Sequence, residues 1–151
     1  MLLAAKYVHT NLIARDWWRL ARFYQEVFAC TPVPPERRLE GEWLAAATRL
    51  AGARIEGIHL RLPGWGERGP TLEVFQYNEV SDGKAAVNRP GLAHLAFAVD
   101  DVAAAVQAVL EAGGSEVGKQ VTVDISGAGR ITFAYVADPE GNTIELQHWQ
   151  E

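Results

Sequence analysis

The chain states one pattern twice, and a repeat of this kind limits the fold more than any single residue does. His9 in "YVHTNLIARDWW" is followed seven positions later by Asp16, and His94 in "GLAHLAFAVDDVA" is followed seven positions later by Asp101. A helical pattern comes after each aspartate. Trp17, Leu20, Ala21, Tyr24, Val27 and Phe28 recur at spacings of three and four, with Asp16 placed to cap the first turn. Val102, Val106, Val109 and Leu110 do the same, with Asp100 or Asp101 as cap and Gly113-Gly114 as the stop.

The two ends correspond as well. "LRLPGWGERGPTLEVFQY" and "ITFAYVADPEGNTIELQHW" each read as strand, Gly/Pro turn and strand, and each sets a glutamate, Glu73 or Glu145, into an apolar final strand. One more strand is expected in each half, near Trp43 to Thr48 and near Glu116 to Val123. The segment "CTPVPPERRLEGE" is expected to be an irregular loop, because its prolines break regular pairing. Each half is therefore expected to be βαβββ: a module over residues 1–80, a module over 91–151, and the polar linker 78–91, together one domain over 1–151. The fold class is α+β.

Composition removes several classes of function. The 151 residues are 48% hydrophobic and carry a formal charge of -5, which gives no basic footprint for nucleic acid. No stretch approaches membrane-spanning length and the N-terminus does not read as a targeting segment, so a cytoplasmic protein is expected. Cys30 is the single cysteine, which leaves neither a disulfide framework nor a thiolate cluster for zinc. Any metal would fall to histidines and carboxylates.

Alternation along strands brings out the candidates. His94 shares a face with Leu92, Ala96 and Ala98, while Leu95, Phe97 and Val99 face the other way. Small neighbours leave room beside the ring. His9 shares its face with Tyr7 and Asn11, Glu73 with Phe75 and Tyr77, and Glu145 with Gln147 and Trp149, a polar and aromatic mixture suited to a pocket. Two neutral imidazoles and two carboxylates meeting at one point suit a divalent transition ion; without it, two buried carboxylates are costly to desolvate. Taken singly, each histidine also reads as a hydrogen-bonded core residue and each glutamate as an edge-strand residue paired with an arginine. His59 and Glu56 lie an odd number of positions apart, on opposite strand faces, and read as surface or core residues; His148 reads as structural. Arg130 could neutralise a substrate carboxylate or pair with a surface acid. Tyr77, Phe75, Trp149 and Asn11 are the other candidate substrate contacts, with packing the ordinary alternative for the aromatics.

"VHTNL" with the following aspartate and "FY", then "LEVFQY", "GLAHLAFAVDD" and "ITFAYVADPEGNTIEL" resemble the vicinal oxygen chelate superfamily. Its members include glyoxalase I, methylmalonyl-CoA epimerase, fosfomycin-resistance thiol transferases, extradiol dioxygenases and bleomycin-binding proteins. The resemblance covers nearly the whole chain. It implies paired βαβββ modules forming a cupped, partly closed mixed sheet with helices outside, around one divalent ion (Zn, Ni, Co, Mn or Fe). The family's ligand positions fall on His9, Glu73, His94 and Glu145. The activity implied is that of an isomerase or lyase of glyoxalase I or epimerase type, enolising a small carbonyl substrate with Glu145 as base and Glu73 as its partner. A metal-dependent thiol transferase or dioxygenase is the alternative on the same scaffold, and a non-catalytic, antibiotic-type binding protein is the alternative from another class. A homodimer is expected, since open sheet edges gain from being covered.

Overall fold

The computed structural model describes Leu2, Ala4 and residues 6–88 and 90–150; the outermost residues of the expected modules, Met1 and Glu151, lie outside these. The chain separates into two compact units, one ending at Ser81 and the other beginning at Asp82.

In the first unit, β1 (His9–Ile13) leads into α1 (Trp17–Phe28), followed by β2 (Thr31–Glu40), α2 (Glu42–Thr48), β3 (Arg54–Arg61) and β4 (Thr71–Tyr77). The sheet order is β1-β4-β3-β2, with β1 parallel to β4 and the other pairs antiparallel. Helix α1 starts where Asp16 accepts the Arg19 N–H at 3.1 Å, and it buries Trp17, Leu20, Ala21, Phe23, Tyr24 and Phe28. Leu60, Leu72 and Val74, fully buried, form the apolar sheet face beneath it. Each such side chain contributes about 1.5–3 kcal/mol by leaving water. The opposite face of the same strands carries His9, Asn11, Glu73 and His59.

Two expectations are corrected here. The strand expected near Trp43 to Thr48 is the helix α2, and the segment expected to be an irregular loop is the strand β2. Ala45, Ala46 and Ala47 are strong helix formers, and Leu44 packs with Ala53, Ile55 and Phe75. Strand β2 tolerates prolines because it is an edge strand, needing ladder hydrogen bonds on one side only, and its register shifts between Val33 and Arg37.

The second unit repeats the plan: β5 (His94–Ala98), α3 (Val102–Glu111), β6 (Ser115–Glu116), β7 (Val121–Ile125), β8 (Gly129–Ala137) and β9 (Thr143–Gln150). The strand expected over Glu116 to Val123 is divided into β6 and β7, both paired with β8. Between them the Val117 and Gly118 N–H groups both donate to the Tyr135 carbonyl. Asp101 caps α3 through the Ala104 N–H, and Val102 and Val109 are buried with Ile144, Leu146 and Val136. The β8–β9 turn is held by Asp138, 2% exposed, which accepts from the Glu140 and Asn142 backbones and from the Asn142 amide. Neither sheet closes on itself, and the architecture is α+β with two mixed sheets. Among the described residues, no helix is long and apolar enough to cross a membrane.

Candidate metal centre

The two units place their histidine and glutamate by the same rule. In the first, His9 stands opposite Thr71 and Asn11 opposite Glu73; in the second, His94 stands opposite Thr143 and Ala96 opposite Glu145. A histidine at the start of one parallel strand therefore reaches diagonally to a glutamate on its neighbour. The His9 Nε2 to Glu73 Oε1 distance is 3.8 Å, and the His94 Nε2 to Glu145 Oε2 distance is 3.3 Å. Each pair brings a soft nitrogen donor and a charge-cancelling oxygen donor together on a sheet face, which fits a divalent transition ion.

Beyond these pairs the units differ. Opposite Glu73 on β3 is His59, whose Nε2 lies 2.7 Å from Glu73 Oε2, whereas Tyr135 stands opposite Glu145. Sequence reasoning missed His59. Its other ring nitrogen, Nδ1, is 3.0 Å from the hydroxyl of buried Thr71. Glu73 is also held by Asn11, whose amide donates to Oε1 at 2.8 Å. His9, His59 and Glu73 each offer a ligand atom within 4.8 Å of the other two. Burial lowers the His59 pKa; the Glu73 carboxylate opposes that shift, while Arg37, His9 and Arg61 add to it. In the second unit, the His94 ring meets Tyr135 edge to face at 5.3 Å, and Ala96 and Ala98 leave the surface beside it open.

The other candidates have local partners. Asn11 holds Glu73 as described. Phe75, 8% exposed, belongs to the cluster under α2, and Tyr77 packs against the same cluster. Trp149 donates from Nε1 to Gln147 at 2.6 Å, and Arg130 donates from one Nη to both oxygens of Asp124 at 3.1 Å. The His148 ring Nδ1 lies 3.0 Å from the Val99 carbonyl. Hollows of about 530 Å³ beside Arg38, Glu40 and Tyr77, and of about 480 Å³ beside Pro32, Pro34 and Arg61, do not include the histidines or Glu73. In each unit the candidate ligands thus stand together on one face of that unit's own sheet.

The family model for the glyoxalase-like domain matches residues 9–147, and the chain belongs to that family. Among solved structures, a glyoxalase family protein from Bacillus cereus is similar, with a TM-score of 0.74 and 21% identity, over 100% of this chain and 97% of that one. A glyoxylase/bleomycin resistance protein/dioxygenase domain from Frankia has a TM-score of 0.62 and 19% identity, over 98% of this chain and 100% of that one. A fosfomycin resistance protein from Listeria monocytogenes, in complex with Mn(II) and sulfate, has a TM-score of 0.56 and 11% identity, covering 99% and 95%. No curated protein matches the sequence. The solved structures establish the fold, and the family model places the chain in the vicinal oxygen chelate superfamily.

Proposed function

We propose that the protein is a metal-dependent enzyme of glyoxalase I or epimerase type that moves a proton on the carbon beside a carbonyl group of a small molecule. The observation carrying this reading is the repeated pair: at one register in both sheets, an imidazole Nε2 faces a carboxylate oxygen, at 3.8 Å and 3.3 Å. His9, Glu73, His94 and Glu145 would hold one divalent ion, of the Zn, Ni, Co, Mn or Fe type. When bound, the ion supplies Lewis-acid polarisation of a substrate oxygen, which makes the neighbouring C–H bond acidic. The Mn(II) in the Listeria neighbour supports an ion on this scaffold.

The chain's own groups do the remainder. Glu145 accepts the proton as general base and returns it, and the open surface beside Ala96 and Ala98 admits the substrate. Glu73, restrained by Asn11, has less freedom to move and serves as partner. Arg130, Tyr77, Phe75, Trp149 and Asn11 are carried forward as candidate substrate contacts. The reading includes a cytoplasmic homodimer acting on a small molecule, without a nucleic-acid or membrane partner. The open edge strands of both sheets support the dimer.

The test is Glu145→Gln, assayed by proton NMR for deuterium incorporation into a panel of small α-oxo and α-acyl carbonyl compounds. The expected outcome is retained metal with exchange slowed by about 100-fold or more. Wild-type exchange that persists unchanged in the variant would exclude Glu145 as the base.

A further inference from the structure

His59 is the residue that the repeat does not account for. Unit for unit, its place on the sheet is taken by Tyr135, and the place of Asn11 is taken by Ala96. The first unit therefore has two additions the second lacks, a further nitrogen donor beside its glutamate and an amide fixing that glutamate, and its Thr71, matched by Thr143 in the second, engages the rear of the added ring. This is the support that metal-ligating histidines and carboxylates normally have, with the non-ligating ring nitrogen and the spare oxygen both engaged.

We propose that His9, His59 and Glu73 form a binding site for a divalent first-row transition ion within the first unit alone. The donor chemistry is two imidazoles and one carboxylate, which matches Fe(II), Co(II) or Zn(II) and leaves coordination positions open for water or a ligand. The distances allow it. Ligand atoms about 2.1 Å from an ion stand no more than about 4.2 Å apart, and the three atoms here lie within 4.8 Å of one another. Adjacent ligands of an octahedral or tetrahedral ion stand about 3.0–3.4 Å apart, so the set draws together by up to about 1.8 Å, shared among side chains that pivot about their own torsions. The rings of His9 and His59 stand 5.5 Å apart and nearly perpendicular, at 82°, so their edges approach Glu73 from different sides. His59 Nδ1 lies 3.0 Å from the Thr71 hydroxyl, and in the tautomer in which Nδ1 donates to it, Nε2 is free as the ligating lone pair. Arg37 and Arg61 lie on the same sheet face, with guanidinium groups directed to the Pro35 and Gly69 carbonyls. Their charge limits affinity for a dication.

This site shares His9 and Glu73 with the proposed function but needs no residue of the second unit. The test is titration of the full chain with Co(II), followed by visible absorption and calorimetry, in four proteins: wild type, His94→Ala with Glu145→Gln, His59→Gln, and His59→Cys. The double variant is expected to bind one Co(II), and His59→Gln to weaken binding by about tenfold or more. The His59→Cys variant is expected to bind Co(II) with a new near-ultraviolet sulfur-to-cobalt band, which places residue 59 on the ion. The site is overturned if the double variant takes up no Co(II), if His59→Gln binds as the wild type does, or if the His59→Cys variant shows no such band. If His59→Gln loses its circular dichroism, the double and cysteine variants decide. Failure confined to the double variant leaves the proposed function standing, whereas a wild type that takes up no Co(II) overturns both.

Discussion

Glu73 shows how much a single position depends on its cross-strand neighbours. Its role as a candidate ligand is legible from the repeat, but its partners are not, because Asn11 and His59 are 62 and 14 positions away along the chain. Along its own strand, alternation sets His59 and Glu56 on opposite faces, which marks neither as part of a site. The informative comparison ran across the β3–β4 connection, whose register puts His59 opposite Glu73. The turn-rich "LPGWGERGP" segment held that signal, but only once the turn was assigned an odd number of residues centred near Gly66. Gly57 is a second residue whose role is visible only in the fold. A Cβ built there would lie 2.1 Å from the Val74 carbonyl oxygen and 2.6 Å from the Phe75 ring. Gly57→Ala should therefore cost about 3 kcal/mol in denaturant unfolding, and a cost below about 1 kcal/mol would show that the two strands separate easily. Cys30 is buried at 3% exposure, and burial pushes its thiol pKa up to about 12. Its thiolate population at pH 8 falls by about a thousandfold, so native protein should resist iodoacetamide and label readily once unfolded. Because the folded pKa lies above the unfolded one, the thiol's contribution to stability is complete at neutral pH and is lost as pH rises through the interval up to about 12.

Elements followed the sequence where local chemistry and packing agree. Both long helices begin at the aspartates that the repeat marks, Asp16 and Asp101, each accepting a backbone N–H three residues on. Asp16→Ala and Asp101→Ala should each lower stability by about 1 kcal/mol, read from urea unfolding, while Asp16→Asn and Asp101→Asn should lower it much less. Equal losses in the alanine and asparagine variants would show that charge rather than capping is at work. The strand β2 where a loop was expected and the helix α2 where a strand was expected each have a physical cause. Prolines argue against a central strand, but β2 is an edge strand; an apolar, alanine-rich run near Trp43 looks like a buried strand until a sheet face is available for Leu44 to cover. Periodicity alone cannot decide a run of seven residues such as Glu42–Thr48.

At the scale of the whole molecule, the duplication is the most legible property of the sequence, because both halves must solve the same packing problem. Helix α1 or α3 covers one face of each sheet, and the opposite face carries a histidine and a glutamate in matching register. What the repeat could not convey is where its halves diverge, at His59 against Tyr135 and Asn11 against Ala96; those differences need the register of both sheets. The proposed function requires the matched His–Glu pairs to hold a metal ion. Elemental mass spectrometry of protein purified without chelator, beside the Glu73→Ala and His94→Ala variants, tests this most directly. About one divalent ion per wild-type chain is expected, with Glu73→Ala losing it and His94→Ala retaining it more weakly through the first unit. A folded wild type that carries no ion and acquires none from Zn(II), Co(II), Ni(II), Mn(II) or Fe(II) would contradict the account.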